Sequence, residues 1–199
     1  MRAWQVSELG NPIDVLKLCD LEQIDNPASG HVQVSIKAVG ISFPDVLQCR
    51  GEYQIKPQLP WTPGGESAGV VTKIGEGVTD ISPGDRVMML GGGLIEHVNV
   101  RSTGLWRIPD NFPFEKAAAV PVNYGTTWFA LHQRGDIQPG ETLLVTGAAG
   151  GTAVDATAGR RAWGGPRRCC PPLGCARADP QEGVGGGGAG DCGGGARTG

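Results

Sequence analysis

Residues 143 to 151 read L-L-V-T-G-A-A-G-G, an apolar run that breaks into a glycine turn. Glycines at such a turn let backbone amides approach a pyrophosphate, and a helix starting there points its positive end at the same group. Gly147, Ala148, Ala149, Gly150 and Gly151 are therefore the candidate phosphate cradle. The residues that follow do not predict that helix. Arg160, Arg161, Gly164, Gly165, Pro166, Cys169, Cys170, Pro171 and Pro172 stand where an apolar stripe is due.

Other reactive side chains carry less. Cys169, Cys170, Cys175 and Cys192 crowd the last thirty residues or so, but no histidine joins them and they form no pair of C-x-x-C knuckles, so a zinc site is not expected. His31, His97 and His132 have no Ser or Cys neighbour at a spacing that suggests nucleophilic chemistry. Cys19 and Cys49 read as inert thiols, and Trp4, Trp61, Trp106 and Trp128 as core or cleft-lining residues.

The chain that must position the cradle has 199 residues and a net charge of -3, which gives no case for nucleic acid or an anionic membrane. No apolar run is long enough to span a membrane and the N-terminus lacks a signal-peptide core, so the expected location is the cytoplasm. Composition changes sharply near the end. Residues 159–199 hold 14 Gly, and their only Val, Ile, Leu, Phe or Met residues are Leu173 and Val184. Such a segment buries too little apolar surface to offset its ordering entropy, and disorder is expected for it.

Upstream, the pattern is that of short strands. V-Q-V-S-I-K-A-V-G (32–40) puts Val32, Val34, Ile36 and Ala38 on one face, as in a half-buried strand. Residues 67–75, 86–90 and 95–100 are further strands, and S-P-G-D (82–85) is a turn with proline at its second position. Strands divided by glycine and proline turns suggest a small barrel. Beyond residue 112 come a short helix, F-P-F-E-K-A-A-A-V, and a second over 123–135 stopped by Gly135. Residues 142–146 are expected as the first strand of a parallel sheet, buried on both faces.

Four segments taken together carry a family resemblance. V-G-I-S-F-P-D-V-L-Q-C-R-G-E-Y (39–53), P-G-G-E-S-A-G-V-V (63–71), G-D-R-V (84–87) and the glycine turn resemble, in order and spacing, the medium-chain dehydrogenases/reductases, in particular the zinc-free NADPH:quinone oxidoreductase branch. The resemblance covers residues 1–151. It implies a mainly β GroES-like barrel (1–122), the start of an α/β Rossmann domain (123–151), and then the low-complexity tail (152–199). It also implies NADPH as hydride donor, with a small-molecule quinone or carbonyl as acceptor. Ser42, Tyr53 and Thr126 match residues near the nicotinamide or lining the substrate cleft. Ser42 departs from the asparagine common at its position. Zinc-dependent relatives place a cysteine where this chain has Ser42 and a histidine where it has Gly65, so no metal is expected.

Past Gly151 the family continues with V-G and a helix, where this chain has T-A-V-D-A-T-A-G. One permitted GC-rich back-translation of residues 159–170, read one nucleotide later, gives A-A-G-L-G-A-A-R-V-V-A, a helix end and a second strand. The tail is thus expected to be a shifted reading frame, a natural tail or a gene-model error. With the Rossmann edge missing, the family's homodimer interface is expected to be lost and NADPH binding to be weak or absent. The two functional expectations are an NADPH-dependent reductase by ancestry, impaired in this copy, and an inactive fragment or GroES-like binding module without catalysis.

Overall fold

The computed structural model describes residues 1–138, 141, 143–147 and 150–152. It divides into two units, Met1–Gly135 and Asp136–Gly199.

The first unit is mainly β. Strand β1 (Arg2–Val6) pairs antiparallel with β2 (Leu16–Asp20), separated by a single helical turn, α1 (Pro12–Val15). A five-stranded antiparallel sheet follows, built from β3 (His31–Gly40), β4 (Glu66–Ile74), β5 (Arg86–Leu90), β6 (His97–Arg101) and β7 (Leu105–Arg107) in the order β6-β3-β4-β5-β7. Its edges are β6 and β7. The β1–β2 ribbon reaches the segment before β6 through an Ala3–Ile95 bridge, and a Val6–Trp61 bridge ties it to the loop before β4.

Register explains the core. Val32 and Val34 stand opposite Val100 and Val98 of β6, while Val34 also faces Val71 of β4. These residues, with Val78, Ile81, Val87 and Met89, form the largest apolar cluster. Each such side chain contributes about 1.5–3 kcal/mol on burial. The expected one-sided alternation of β3 is only half right. Bulges at Gln33/Val34 and Ile36/Ala38 shift its register, and Gln33 is buried too, its amide oxygen accepting from Thr72 Oγ1 at 3.2 Å. The S-P-G-D turn closes as expected: Asp85 N–H donates to Ser82 O at 3.0 Å, and Ser82 N–H to Asp85 Oδ2 at 2.8 Å.

Three further helices position the site. Helix α2 (Phe43–Arg50) was not foreseen from the sequence. Its only buried residues are Asp45 and Cys49, so no apolar stripe announces it, although Ser42 at the N-cap and Gly51 at the left-handed stop are the usual boundary signals. Helices α3 (Phe114–Ala117) and α4 (Val120–Trp128) fall where expected. A π-helical segment, Phe129–Arg134, continues α4 to Gly135, whose N–H donates to Ala130 O at 2.8 Å. Arg86 at the start of β5 holds the approach to α3. Its guanidinium donates to the carbonyls of Pro109, Asp110 and Phe112 and lies 4.2 Å from the Phe114 ring centre.

In the second unit, Leu143, Leu144 and Val145 are not in a strand, and Leu144 is 68% exposed. That departs from the doubly buried strand expected over 142–146. A strand exists only within a ladder, and neither sheet includes these residues. Gly151 and Thr152 are helical, so the helix after the turn does begin; Ala148, Ala149 and the tail from residue 153 lie outside the described residues. Trp4, Trp106 and Trp128 are 42%, 48% and 54% exposed, which excludes them from the core, whereas Trp61 is half-buried.

Candidate active site

Ser42 sits at the N-cap of α2 with an extended backbone (φ -136, ψ 171). The third helical residue is Asp45, and the pair forms a capping box. Asp45 is 4% exposed, and three donors converge on its carboxylate. Ser42 N–H reaches Oδ2 at 2.8 Å and Ser42 Oγ–H reaches the same oxygen at 3.1 Å. Gly64 N–H reaches Oδ1 at 2.9 Å. Asp45 thus joins the start of α2 to the loop that leads into β4.

A second buried carboxylate continues the connection. Glu66, the first residue of β4, is 3% exposed, and its Oε2 accepts Val122 N–H at 2.8 Å. Val122 is the third residue of α4, and the helix's own N-cap, Ala119, supplies no side-chain cap. Glu66 therefore provides from the sheet the acceptor that the helix terminus lacks. Thr126 lies one turn further along α4, with its side chain exposed. Ser42 and Thr126 are thus carried by two helices, both anchored to residues 64–66.

Tyr53 is placed differently. It follows the left-handed Gly51 (φ +72) at the far end of α2, about 12 Å of helix from the Ser42 end. It is half-buried in an irregular loop, and its hydroxyl makes no hydrogen bond among the described residues. Cys49 is buried one turn after Asp45. Burial pushes its thiol above the usual cysteine value and the Asp45 carboxylate adds to the shift, so the thiolate that could act as a nucleophile is disfavoured. His31 Nδ1 is tied to Ser29 O at 2.9 Å, and His132 stacks on Trp128 at 5.3 Å.

Gly65, at the position of the histidine in zinc-dependent relatives, has no side chain and faces open space. Among the described residues no group of three or more His, Cys, Asp or Glu is placed to hold a metal. The Ser42 hydroxyl is engaged with Asp45 rather than turned toward such a centre. Ser42 and Gly65 thus offer neither a thiolate nor an imidazole at these two positions.

In the second unit, Gly147 takes a left-handed φ of +63, where glycine is favoured and where an added Cβ would still meet nothing. Gly150 N–H closes the turn on Gly147 O at 2.9 Å. Gly147, Gly150 and Gly151 are exposed, as backbone that is to meet a phosphate must be. Gly147 and Gly150 thus form an open glycine turn in which the Gly150 amide is already engaged. The open groove of about 420 Å³ between β1, β2, β3 and the segment before β6 contains none of them, nor Ser42, Tyr53 or Thr126.

Sequence reasoning gave neither Asp45 nor Glu66 a role. The S-x-x-D spacing of residues 42–45 was the available signal for the first. Nothing local marks the second, whose helix partner is 56 residues away.

Residues 28–110 match the alcohol dehydrogenase GroES-like domain. The chain is 42% identical over 152 residues to a quinone oxidoreductase-like protein 2 homolog from Nematostella vectensis, covering 75% of this chain and 41% of that protein. It therefore spans about two-fifths of the length of such curated relatives. Among solved structures it is similar to a probable oxidoreductase from Mycobacterium abscessus, with a TM-score of 0.77 and 39% identity, covering 83% of this chain and 53% of that one. It is also similar to a mycobacterial protein solved in complex with NADPH, with a TM-score of 0.75 and 30% identity, covering 83% and 51%.

Proposed function

We propose that this chain, which belongs to the medium-chain dehydrogenases/reductases, carries the substrate-side part and the glycine turn of an NADPH-dependent reductase of the quinone oxidoreductase type. The observation that carries this reading is the pair of buried carboxylates, Asp45 and Glu66, that hold Ser42 and α4 on one loop. Bound NADPH would supply the hydride, delivered to a quinone or an activated carbonyl or alkene. Ser42 and Thr126 would orient the reacting end, Tyr53 would line the cleft, and the amides around Gly147, Ala148, Ala149, Gly150 and Gly151 would meet the pyrophosphate.

The chain as it stands is proposed to bind NADPH poorly and to turn over negligibly. One good anchoring contact contributes on the order of 1–3 kcal/mol, and the adenosine and phosphate contacts depend on neighbouring strands of a complete sheet. The 68% exposure of Leu144, ahead of the glycine turn, favours a second reading, a GroES-like binding module without catalysis. NADPH titration of the full chain, followed by quenching of Trp128 and the other tryptophans, tests both. Weak quenching without turnover supports the impaired enzyme, and complete absence of binding supports the module. Micromolar affinity with quinone turnover would overturn the impairment and leave an ordinary reductase.

A further inference from the structure

We propose that Asp45 fixes the hydrogen-bonding sense of Ser42, so that a ligand group meeting this hydroxyl must itself be a donor. A carboxamide N–H₂ or a sugar hydroxyl qualifies; a carbonyl or quinone oxygen does not. The inference rests on the functional reading above only for there being a ligand at Ser42.

Serine has one O–H donor and two lone pairs, and an ionised carboxylate can only accept. The convergence of three donors on Asp45 is the pattern of an ionised carboxylate. The Ser42 proton is therefore spent on Oδ2, and what the hydroxyl still offers is acceptor capacity. Turning that proton outward would take one of three donors away from a carboxylate that is 4% exposed and has little water to replace it.

The clamp cannot slide away either. Gly64, the third donor, has a φ of +124, and an added Cβ there would lie 2.5 Å from Val39 Cγ1 and 2.9 Å from Gly93 Cα. The loop that Asp45 grips is wedged between its neighbours. Pro44, between Ser42 and Asp45, has no N–H to offer a ligand oxygen in place of the hydroxyl.

Asp45 is thus a positioning residue that acts through Ser42. The consequence is a division of labour in the proposed reductase. Ser42 belongs to the cofactor side, where the nicotinamide carboxamide and its ribose carry donors, and it takes no part in polarising the electrophile.

A matched pair of fragments tests this on the full ¹⁵N-labelled chain. Nicotinamide and 3-acetylpyridine share a ring and a carbonyl and differ in N–H₂ against CH₃. Nicotinamide is expected to shift the Ser42 amide resonance with an affinity roughly tenfold tighter than 3-acetylpyridine, the factor set by one hydrogen bond. In Ser42→Ala the preference should disappear. In Asp45→Asn the side-chain amide can donate to the hydroxyl, so the preference should shrink or reverse. The Ser42 and Gly64 amides should also exchange roughly tenfold faster, a readout that needs no ligand. If Asp45→Asn does not fold, the wild type against Ser42→Ala decides. Equal affinities in the wild type, a preference that survives Ser42→Ala, or no response of Ser42 to either fragment would each overturn the inference. An NADPH titration of the same sample separates the two levels: silence at both Thr126 and Gly147 counts against the reductase reading, whereas this inference stands or falls on the fragment pair.

Discussion

Removing the Glu66 carboxylate should loosen α4 more than any other single change in the first unit's site. The side chain is 3% exposed and accepts Val122 N–H at 2.8 Å, at a helix whose own N-cap is alanine. A hydrogen bond to a charged group contributes about 1.5–3 kcal/mol, a figure that already includes most of the favourable interaction with the helix terminus. Truncation to alanine also removes one buried methylene, at about 0.8 kcal/mol. Glu66→Ala should therefore destabilise the protein by about 2–4 kcal/mol. Glu66→Gln keeps the methylenes and an acceptor and loses only the charge assistance, for about 1–2 kcal/mol. Urea unfolding followed by circular dichroism reads the difference. With a slope of about 2 kcal/mol per molar, the alanine variant's midpoint should fall by about 1–2 M and the glutamine variant's by less than about 1 M. Gly40→Ala should act through the same group, because its Cβ would lie 2.5 Å from Glu66 Cγ, 2.8 Å from Oε1 and 2.6 Å from Ala118 O. Combined with Glu66→Ala it should cost less than the sum of the two. An alanine variant within about 0.5 kcal/mol of wild type, or a glutamine variant as damaging as alanine, would refute the tertiary-cap reasoning.

Three further outcomes are expected. Gly69→Ala should cost at least about 2 kcal/mol in chemical denaturation, because its Cβ would lie 2.3 Å from the Ser35 carbonyl oxygen, which is backbone and cannot swing aside; a neutral result would mean that β3 and β4 can separate at the neighbouring bulge. Native-state alkylation mapped by mass spectrometry should leave Cys49 unmodified, since it is buried and its thiol is raised by burial and then by Asp45; labelling as fast as at half-buried Cys19 would contradict that. Glu96 is held below the ordinary glutamate value, first by the Arg2 backbone N–H and then by the Arg2 side chain. Its ionised form thus favours the fold above that ordinary value, and the contribution is lost as pH falls from about 4.3 toward the folded value. Glu96→Gln should flatten that acid segment of the stability curve, and an unchanged acid limb would show that the pair is immaterial.

The parts of this fold that were readable from sequence are those whose cause is local. Residues 67–75 and 86–90 read as strands because small and apolar residues meet the core there, and S-P-G-D reads as a turn because its proline and aspartate act within four residues. Helix α2 escaped because its buried positions are Asp45 and Cys49, a charge and a thiol where a periodicity search looks for Leu or Val. The strand expected over 142–146 failed for the complementary reason. Its apolar run is intrinsic, but a strand needs a neighbour, and no described ladder reaches it. The glycine turn needs no neighbour, and Gly147 adopts its left-handed backbone and closes on Gly150 as its residue types require. The candidate site divides along the same line. Ser42 and Thr126 were reached through a resemblance between short segments, whereas the two carboxylates that anchor their helices have partners 19 and 56 residues distant. Burial turns such distant pairs into strong constraints, because a carboxylate away from water must find its donors within the fold. The more deeply a charge organises this site, the less its immediate sequence neighbours reveal it, and that is why Asp45 and Glu66 are the residues on which substitution will be most informative.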